Sequence, residues 1–220
     1  MINFLGVAWT RDATYLPELR NRNGWVSEVN LRNNGHIARS VTLSYFNESG
    51  VATRSPETLT VAPNQTVTLA ADQNSRITAG GTGSAVVSGG EDLAVQVEMQ
   101  KNGKSDRTNF NGFLPTGGSG DSGWEQAGTT LYDPVIKHQY GSRSSSIQVV
   151  NVGATNTTVS ATFYSDSGVA RTIGPYTINA NGKVTIQPYD GSGSGGCDAN
   201  GTICAVRIVS NNGQPLVGIV

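Results

Sequence analysis

The sequence has 220 residues, a formal net charge of -1 and only two cysteines. Ser, Thr and Asn together exceed a quarter of the residues, and the apolar residues are mostly Val, Ile, Leu and Ala in short runs, a composition typical of strands and turns. The near-neutral charge argues against a nucleic-acid partner, and no apolar run approaches the roughly 18 residues that span a bilayer.

The chain opens with a segment, residues 1–14, whose first nine residues are uncharged and largely apolar and lack the charged start of a signal peptide. We expect this segment to be extended and to lie outside the first domain. An extended apolar segment can pair with the sheet edge of another copy, so we predict self-association through it. The candidate assembly residues are Ile2, Phe4, Leu5, Val7 and Trp9.

Short alternating runs of apolar and polar residues then recur along the chain. Tyr15 and Pro17 recur as Tyr132 and Pro134, residues 41–46 recur as 159–164 at an offset of 118, and residues 86–88 recur as 208–210. Alternation with period two places every second side chain on one face of a strand. The residues predicted to face inward in the clearest run and its copy are Val41, Leu43, Tyr45, Val159, Ala161 and Phe163.

Asn-Gly pairs separate many of these runs and indicate tight hairpin turns, as at Asn23-Gly24 and Asn181-Gly182. No amphipathic helical segment is found. We therefore predict an all-β fold: two tandem immunoglobulin-like β-sandwich domains joined by a Gly/Ser/Asn-rich linker. The predicted boundaries are 1–14 for the N-terminal segment, 15–103 for the first repeat, 104–131 for the linker and 132–220 for the second repeat, which stops inside its final strand.

This order of motifs resembles the tandem immunoglobulin-like repeats of large bacterial secreted and cell-surface proteins. In those repeats a Tyr-x-Pro segment precedes a Gly-Trp strand, an Asn-rich turn and an aromatic strand that ends in Ser-Gly. The residues that carry the resemblance are Tyr15, Pro17, Gly24, Trp25, Asn33, Gly35, Tyr45 and Gly50. The second copy departs from the pattern because Arg143 stands where Trp25 would align. The resemblance implies an architecture and a compartment rather than a chemistry.

The two cysteines, Cys197 and Cys204, bracket a short Gly/Asn-rich loop. We expect them to form a disulfide, which persists only in an oxidising compartment and so predicts an extracellular or cell-surface location. Two free thiols, or half of a zinc site that His36 and His138 would have to complete, are the alternatives. Both histidines are otherwise expected to be exposed in loops.

No constellation of residues predicts catalysis. Glycine runs at 118–123 and 191–196 match the letters of a dinucleotide-binding motif, but neither opens a helix after a strand, so no cofactor is predicted. Calcium remains open at the loop carboxylates Asp190, Asp198 and Glu91-Asp92. Glycosylation remains open at the sequons Asn47, Asn64, Asn156 and Asn200. An aromatic platform for a polysaccharide remains open at Trp124, Tyr140 and Tyr189.

The sequence therefore favours a structural role, with the repeats acting as subunits of a surface stalk, sheath or filament. A carbohydrate-binding or adhesion module of a larger secreted protein is the alternative. An enzyme is the third class considered, and we predict that the chain is not one, because no set of nucleophile, base and acid is found.

Overall fold

The structure is a computed structural model that describes residues 13–89, 92–102, 104–114, 126–141, 144–165, 168, 170–188, 197 and 201–220. Among these residues every regular element is a β-strand, which confirms the all-β prediction. No helix in the described part is long and apolar enough to cross a membrane. The chain divides into two compact units, Met1–Ala127 and Gly128–Val220.

In the described part of the first unit, eight strands form one hydrogen-bonded sheet. They are β1 Thr14–Arg22, β2 Trp25–Asn33, β3 Arg39–Asn47, β4 Glu57–Val61, β5 Thr66–Ala70, β6 Gly81–Ser88, β7 Leu93–Lys101 and β8 Arg107–Asn111. The sheet has two halves, ordered β4-β3-β6-β1 and β5-β2-β7-β8. The halves join where the last residues of β1 pair with the first residues of β2 through the hairpin at Asn23-Gly24. Both turn residues have positive φ, as the Asn-Gly pair predicts.

The described residues of the second unit form seven strands in two separate sheets. They are β9 Thr130–His138, β10 Ile147–Asn151, β11 Thr157–Ser165, β12 Ala170–Ile178, β13 Lys183–Ile186, β14 Thr202–Ser210 and β15 Leu216–Ile219. The sheet orders are β12-β11-β14-β9 and β13-β10-β15. The first order repeats β4-β3-β6-β1, with β9 in the place of β1, and the second repeats β5-β2-β7, with β15 in the place of β7 and no described counterpart of β8. The duplicated sequence therefore corresponds to a duplicated strand order.

Each unit buries one apolar core between its sheet faces. The first core includes Leu19, Leu31, Leu43, Tyr45 and Val97, and the second includes Ile136, Val149, Ala161, Phe163 and Ile208. The alternating burial of β3 and β11 confirms the six residues predicted to face inward, all of which are fully buried. Such sandwich-like packing of half-apolar strands stabilises each unit by removing apolar surface from water.

The Tyr-x-Pro motif marks a β-bulge in both units. In β1 the pairing with β6 shifts between Leu16 and Leu19, so that Pro17 lies in the bulge. In β9 the pairing with β14 shifts where Cys204 pairs with Ile136 and Val206 pairs with Asp133, so that Pro134 lies in the bulge. Proline lacks the N–H that a sheet ladder needs, and a bulge is one of the few strand positions that tolerate it.

Two details of the structure differ from the repeat alignment and the linker range that the sequence predicted. Leu43 pairs with Val87 and its counterpart Ala161 pairs with Ile208, so Val87 rather than Val86 matches Ile208. A loop of different length precedes this strand in each unit, and the resulting shift of one residue exchanges the two faces of a strand. Strand β8 also lies within the range predicted as linker, because its backbone pairs with β7, a contact that composition does not reveal.

Candidate functional site

The predicted site residues fall partly outside the described part of the chain. Cys197, Cys204 and Tyr140 are described. The residues that lie outside it are Ile2, Phe4, Leu5, Val7, Trp9, Glu91, Trp124, Arg143, Tyr189, Asp190, Asp198 and Asn200. Tyr140 follows the end of β9 and is about half exposed, 49%. The structure therefore leaves the aromatic platform and most of the loop carboxylates as predictions.

The two cysteines form a disulfide, as predicted, with their Cα atoms 6.2 Å apart. Cys204 lies on β14 between Ser165 of β11 and Ile136 of β9, and it points into the core of the second unit. Cys197 is buried in the same core, and its N–H donates to the carbonyl of Pro188. The bond therefore ties residue 197 to the centre of the β9-β14-β11 sheet.

His138 corrects one expectation, because it is buried at the end of β9 rather than exposed in a loop. Its Nδ1 lies 3.2 Å from the carbonyl oxygen of Cys197. The prediction was wrong because β9 extends to His138 and the disulfide brings Cys197 against it. His36 is exposed in the turn after β2, as expected.

A bidentate ion pair lies in the first unit, at the start of β4. The guanidinium of Arg76 donates to both carboxylate oxygens of Glu57, at 2.8 and 2.7 Å, and Arg76 also donates to the carbonyl of Ala70 at 3.0 Å. Hydrogen bonding from Arg76 lowers the pKa of Glu57, while burial raises the pKa of the nearby Tyr45 hydroxyl. Since each charge is matched by its partner, we assign this pair a structural role.

Metal binding has little support in the described part of the chain. Asp92, one of the calcium candidates, accepts a hydrogen bond from Arg39 at 3.1 Å. In the residues that the structure describes, no group of three or more His, Cys, Asp or Glu side chains could hold a metal ion.

An exposed apolar surface distinguishes the outer side of strand β9. Tyr132 is 72% exposed and Val135, in the bulge, is 51% exposed. Tyr164 on β11 and Ile203 on β14 are also exposed and alternate with the buried Phe163 and Cys204. We call this group, Tyr132, Val135, Tyr164 and Ile203, the β9 surface. Apolar side chains clustered on an open sheet face indicate an interaction site.

Strand β9 is also an edge strand. Among the described strands it pairs with β14 alone. Near its end the N–H of Ser145 donates to the carbonyl of Lys137, so the part of the edge that no described residue pairs with surrounds Tyr132. Exposed strand edges present unpaired backbone groups to any extended partner.

The corresponding edge in the first unit is covered. Tyr15, the counterpart of Tyr132, exchanges two backbone hydrogen bonds with Phe113, at 2.8 and 2.9 Å. Residue 112 approaches so closely that a Cβ added to Gly112 would lie 2.0 Å from Cγ2 of Thr14. Tyr15 is only partly exposed, and burial raises its pKa. The same strand position is thus paired in one unit and exposed in the other.

The sequence did not single out Tyr132 and Tyr164 as site residues. Tyr164 follows the inward-facing Phe163, so alternation alone would have placed it on the outer face. The exposure of Tyr132 had no comparable signal, because its counterpart Tyr15 carries the same motif and is covered.

No protein-family model and no curated protein matches this sequence. Among solved structures, the crystal structure of Thermotoga maritima 1070 is similar over 48% of this chain and 95% of its own, with 13% identity and a TM-score of 0.40. The Anabaena sensory rhodopsin transducer is similar over 42% of this chain and 92% of its own, with 20% identity and a TM-score of 0.33. Neither similarity supports an inference about function.

Proposed function

We propose that this protein is an extracellular structural module whose two immunoglobulin-like sandwich domains act in tandem as subunits of a surface stalk, sheath or filament. The observation that supports this most directly is the β9 surface, an apolar group beside a strand edge that no described strand covers. Addition of a strand from another copy would satisfy the edge and bury the apolar side chains.

Two further features support the proposal. The disulfide at Cys197 favours an oxidising compartment, because such bonds are rare in the cytosol. The cores of both units are apolar, and the sheets around them share the orders β4-β3-β6-β1 and β12-β11-β14-β9. Repeated units of this kind suit a mechanical spacer, because a closely packed interior resists deformation.

The experiment is negative-stain electron microscopy of the purified chain, combined with sedimentation velocity over a wide concentration range. Under the proposal, particles lengthen in steps of one chain as concentration rises. A chain that sediments as a monomer at every concentration and shows no elongated particles would refute the assembly role.

Carbohydrate binding is the second candidate, favoured by exposed tyrosines. Tyr132, Tyr140 and Tyr164 are 72%, 49% and 40% exposed, and an aromatic face can stack on a sugar ring. A glycan array and a pull-down on insoluble polysaccharides would test it, with Tyr140→Ala and Trp124→Ala as variants. Saturable binding that both substitutions weaken would support this candidate, and absence of binding by the intact chain would remove it.

A further inference from the structure

We infer that the edge of β9 at Tyr132 is the acceptor for the N-terminal segment of a second copy, with Phe4-Leu5 taking the place that Phe113-Leu114 takes in the first unit. This inference rests on the proposed structural function and specifies its contact. It concerns residues 1–12, which precede the described part of the chain, and strand β9, whose own residues are all described.

The edge of β9 at Tyr132 is equivalent to the edge of β1 at Tyr15. Tyr15 pairs with Val86 on β6, and Tyr132 pairs with Arg207 on β14. Strands β6 and β14 in turn pair with β3 and β11 at counterpart positions, and both edge strands carry a bulge two residues after the tyrosine. The N–H and carbonyl of Tyr132 therefore point away from β14, as those of Tyr15 point away from β6.

Tyr15 is paired on this edge of β1. Its N–H and carbonyl both bond to Phe113, which makes an antiparallel hydrogen-bonded pair on the side of β1 that faces away from β6. The pairing segment crosses from the end of β8, where the N–H of Gly112 donates to Val95. A short Phe-Leu segment is thus sufficient to cover this position of the fold.

The N-terminal donor segment resembles in sequence the segment that pairs with Tyr15. Asn3-Phe4-Leu5 repeats the order of Asn111, Phe113 and Leu114 without the intervening glycine. Residues 1–9 carry no charged side chain, which suits the uncharged Tyr132 and Val135 of the acceptor. Because Arg207 pairs with Tyr132 and is exposed on the same face, a positive charge in the donor would lose hydration and meet a like charge there.

Residues 1–12 are long enough to reach a neighbouring copy. Twelve residues in extended conformation cover about 40 Å, which exceeds the length of a nine-residue strand of about 30 Å. The segment can therefore leave its own first unit and lie along β9 of a neighbouring copy. Donation from the start of one chain to the second unit of the next is a head-to-tail contact, and such contacts generate filaments when they do not close into rings.

The test uses the full chain and four variants in sedimentation velocity. Tyr132→Pro removes the N–H that faces the open edge and leaves the N–H groups that pair with β14. Tyr132→Phe keeps that N–H and is the matched control. Phe4→Lys places in the donor a charge of the same sign as Arg207, and Val51→Lys, at an exposed position of the first unit, is its control. We expect the two test variants to weaken self-association roughly tenfold or more and the two controls to leave it unchanged.

Cysteine cross-linking defines the register and protects the test against a variant that misfolds. Chains carrying Phe4→Cys are mixed with chains carrying Tyr132→Cys, and the expected product is a disulfide-linked dimer of one chain of each kind. Mixing Phe4→Cys with Val51→Cys is the control and should give none. Opposed residues of an antiparallel pair have Cα atoms about 5.5 Å apart, within the range of a disulfide.

The outcomes separate this inference from the proposed function. If Tyr132→Pro still self-associates and no cross-link forms between Phe4→Cys and Tyr132→Cys, the inference is overturned. The chain would then assemble through another surface, and the proposed structural function would remain. A native chain that stays monomeric at every concentration would overturn both the inference and the proposed function. A cross-link within single monomeric chains that carry Phe4→Cys and Tyr132→Cys together would overturn the second copy as the occupant.

Discussion

Asn33 and Asn151 occupy the same position in the two units and make the same hydrogen bonds. The side-chain nitrogen of Asn33 donates to the carbonyl of Val61 at 2.9 Å, and that of Asn151 donates to the carbonyl of Ile178 at 3.2 Å. Each side chain also donates to a turn carbonyl four residues on, and each side-chain oxygen accepts the N–H of a glycine two residues on.

These buried asparagines connect the two halves of each unit. Asn33 lies at the end of β2, whereas Val61 ends β4 in the other half of the sheet. Both asparagines are fully buried, and their bonds to the carbonyls of Val61 and Ile178 are buried too, so no water would replace these two bonds. The polar network therefore fixes how the chain crosses between halves, a role that apolar contacts, which have no direction, do not supply.

The first prediction concerns this pair. Asn33→Ala should lower the free energy of unfolding of the first unit by about 3 kcal/mol, because the buried carbonyl of Val61 and the buried N–H of Gly35 lose their partner and the part-buried carbonyl of Ile37 loses a bond. Asn33→Asp should be at least as damaging at neutral pH, since a carboxylate would face the two carbonyls. Hydrogen exchange of β2 and β4 amides measures the effect, and Asn151→Ala should produce it in the second unit instead.

A control for this prediction is Asn211→Ala, whose side chain is exposed and makes one hydrogen bond, to Thr158. It should change stability by less than about 1 kcal/mol. Equal losses for Asn33→Ala and Asn211→Ala would contradict the role assigned to the buried amide.

The second prediction is a pH dependence of the first unit. The pKa of Glu57 is lowered in the folded protein by the hydrogen bonds from Arg76. Its ionised form therefore contributes stability above the unfolded pKa of about 4.3, and that contribution is lost as pH falls through the lower folded value. Thermal unfolding between about pH 6 and pH 2 should show the loss in the native chain and a smaller one in Glu57→Gln.

The matched control is Asp72→Asn, at an exposed position between β5 and β6. Its acid profile should follow that of the native chain. If Glu57→Gln retains the full loss of stability on acidification, the ion pair with Arg76 is not its source.

The third prediction concerns the disulfide. Under denaturing conditions without reductant, no thiol of the native chain should react with an alkylating reagent. Replacing both Cys197 and Cys204 with Ala should destabilise the second unit by about 2 kcal/mol, because the unfolded chain regains the freedom of a short loop. Amide exchange should accelerate in β9 and β14 and remain unchanged in β2 and β7.

The fourth prediction concerns the covered edge at Tyr15. A methyl group on Gly112 would collide with Cγ2 of Thr14, so Gly112→Ala should release the Phe113 pairing and speed exchange of the Tyr15 amide. The second substitution Thr14→Ser removes that methyl group and should restore part of the protection. Exchange that stays slow in Gly112→Ala alone would show that the edge is held by other contacts. The double-mutant comparison isolates the one collision.

Much of the fold follows from local sequence patterns. The alternation in residues 41–46 and 159–164 indicated which side chains are buried, because the two faces of a strand meet different surroundings. The Asn-Gly pair at 23–24 indicated a hairpin, since both residues tolerate positive φ. Strand β8 and the exact register of β14 were not predicted, because both depend on which distant backbone lies alongside.

The candidate site, too, was predictable from the sequence only in part. The close spacing of Cys197 and Cys204 was enough to predict their bond, whereas the burial of His138 depends on how that bond folds back onto β9. Tyr15 and Tyr132 lie in the same Tyr-x-Pro motif. No local pattern indicates that Phe113 pairs with Tyr15 while Tyr132 is exposed.

By itself, then, the sequence determined the strand class, the duplication and the inward faces, because each depends on residues a few positions apart. The tertiary structure alone decided which edge of each unit is covered. Backbone hydrogen bonds between strands are made by groups that every residue carries, so side-chain letters leave the choice of partner undetermined until the chain is folded.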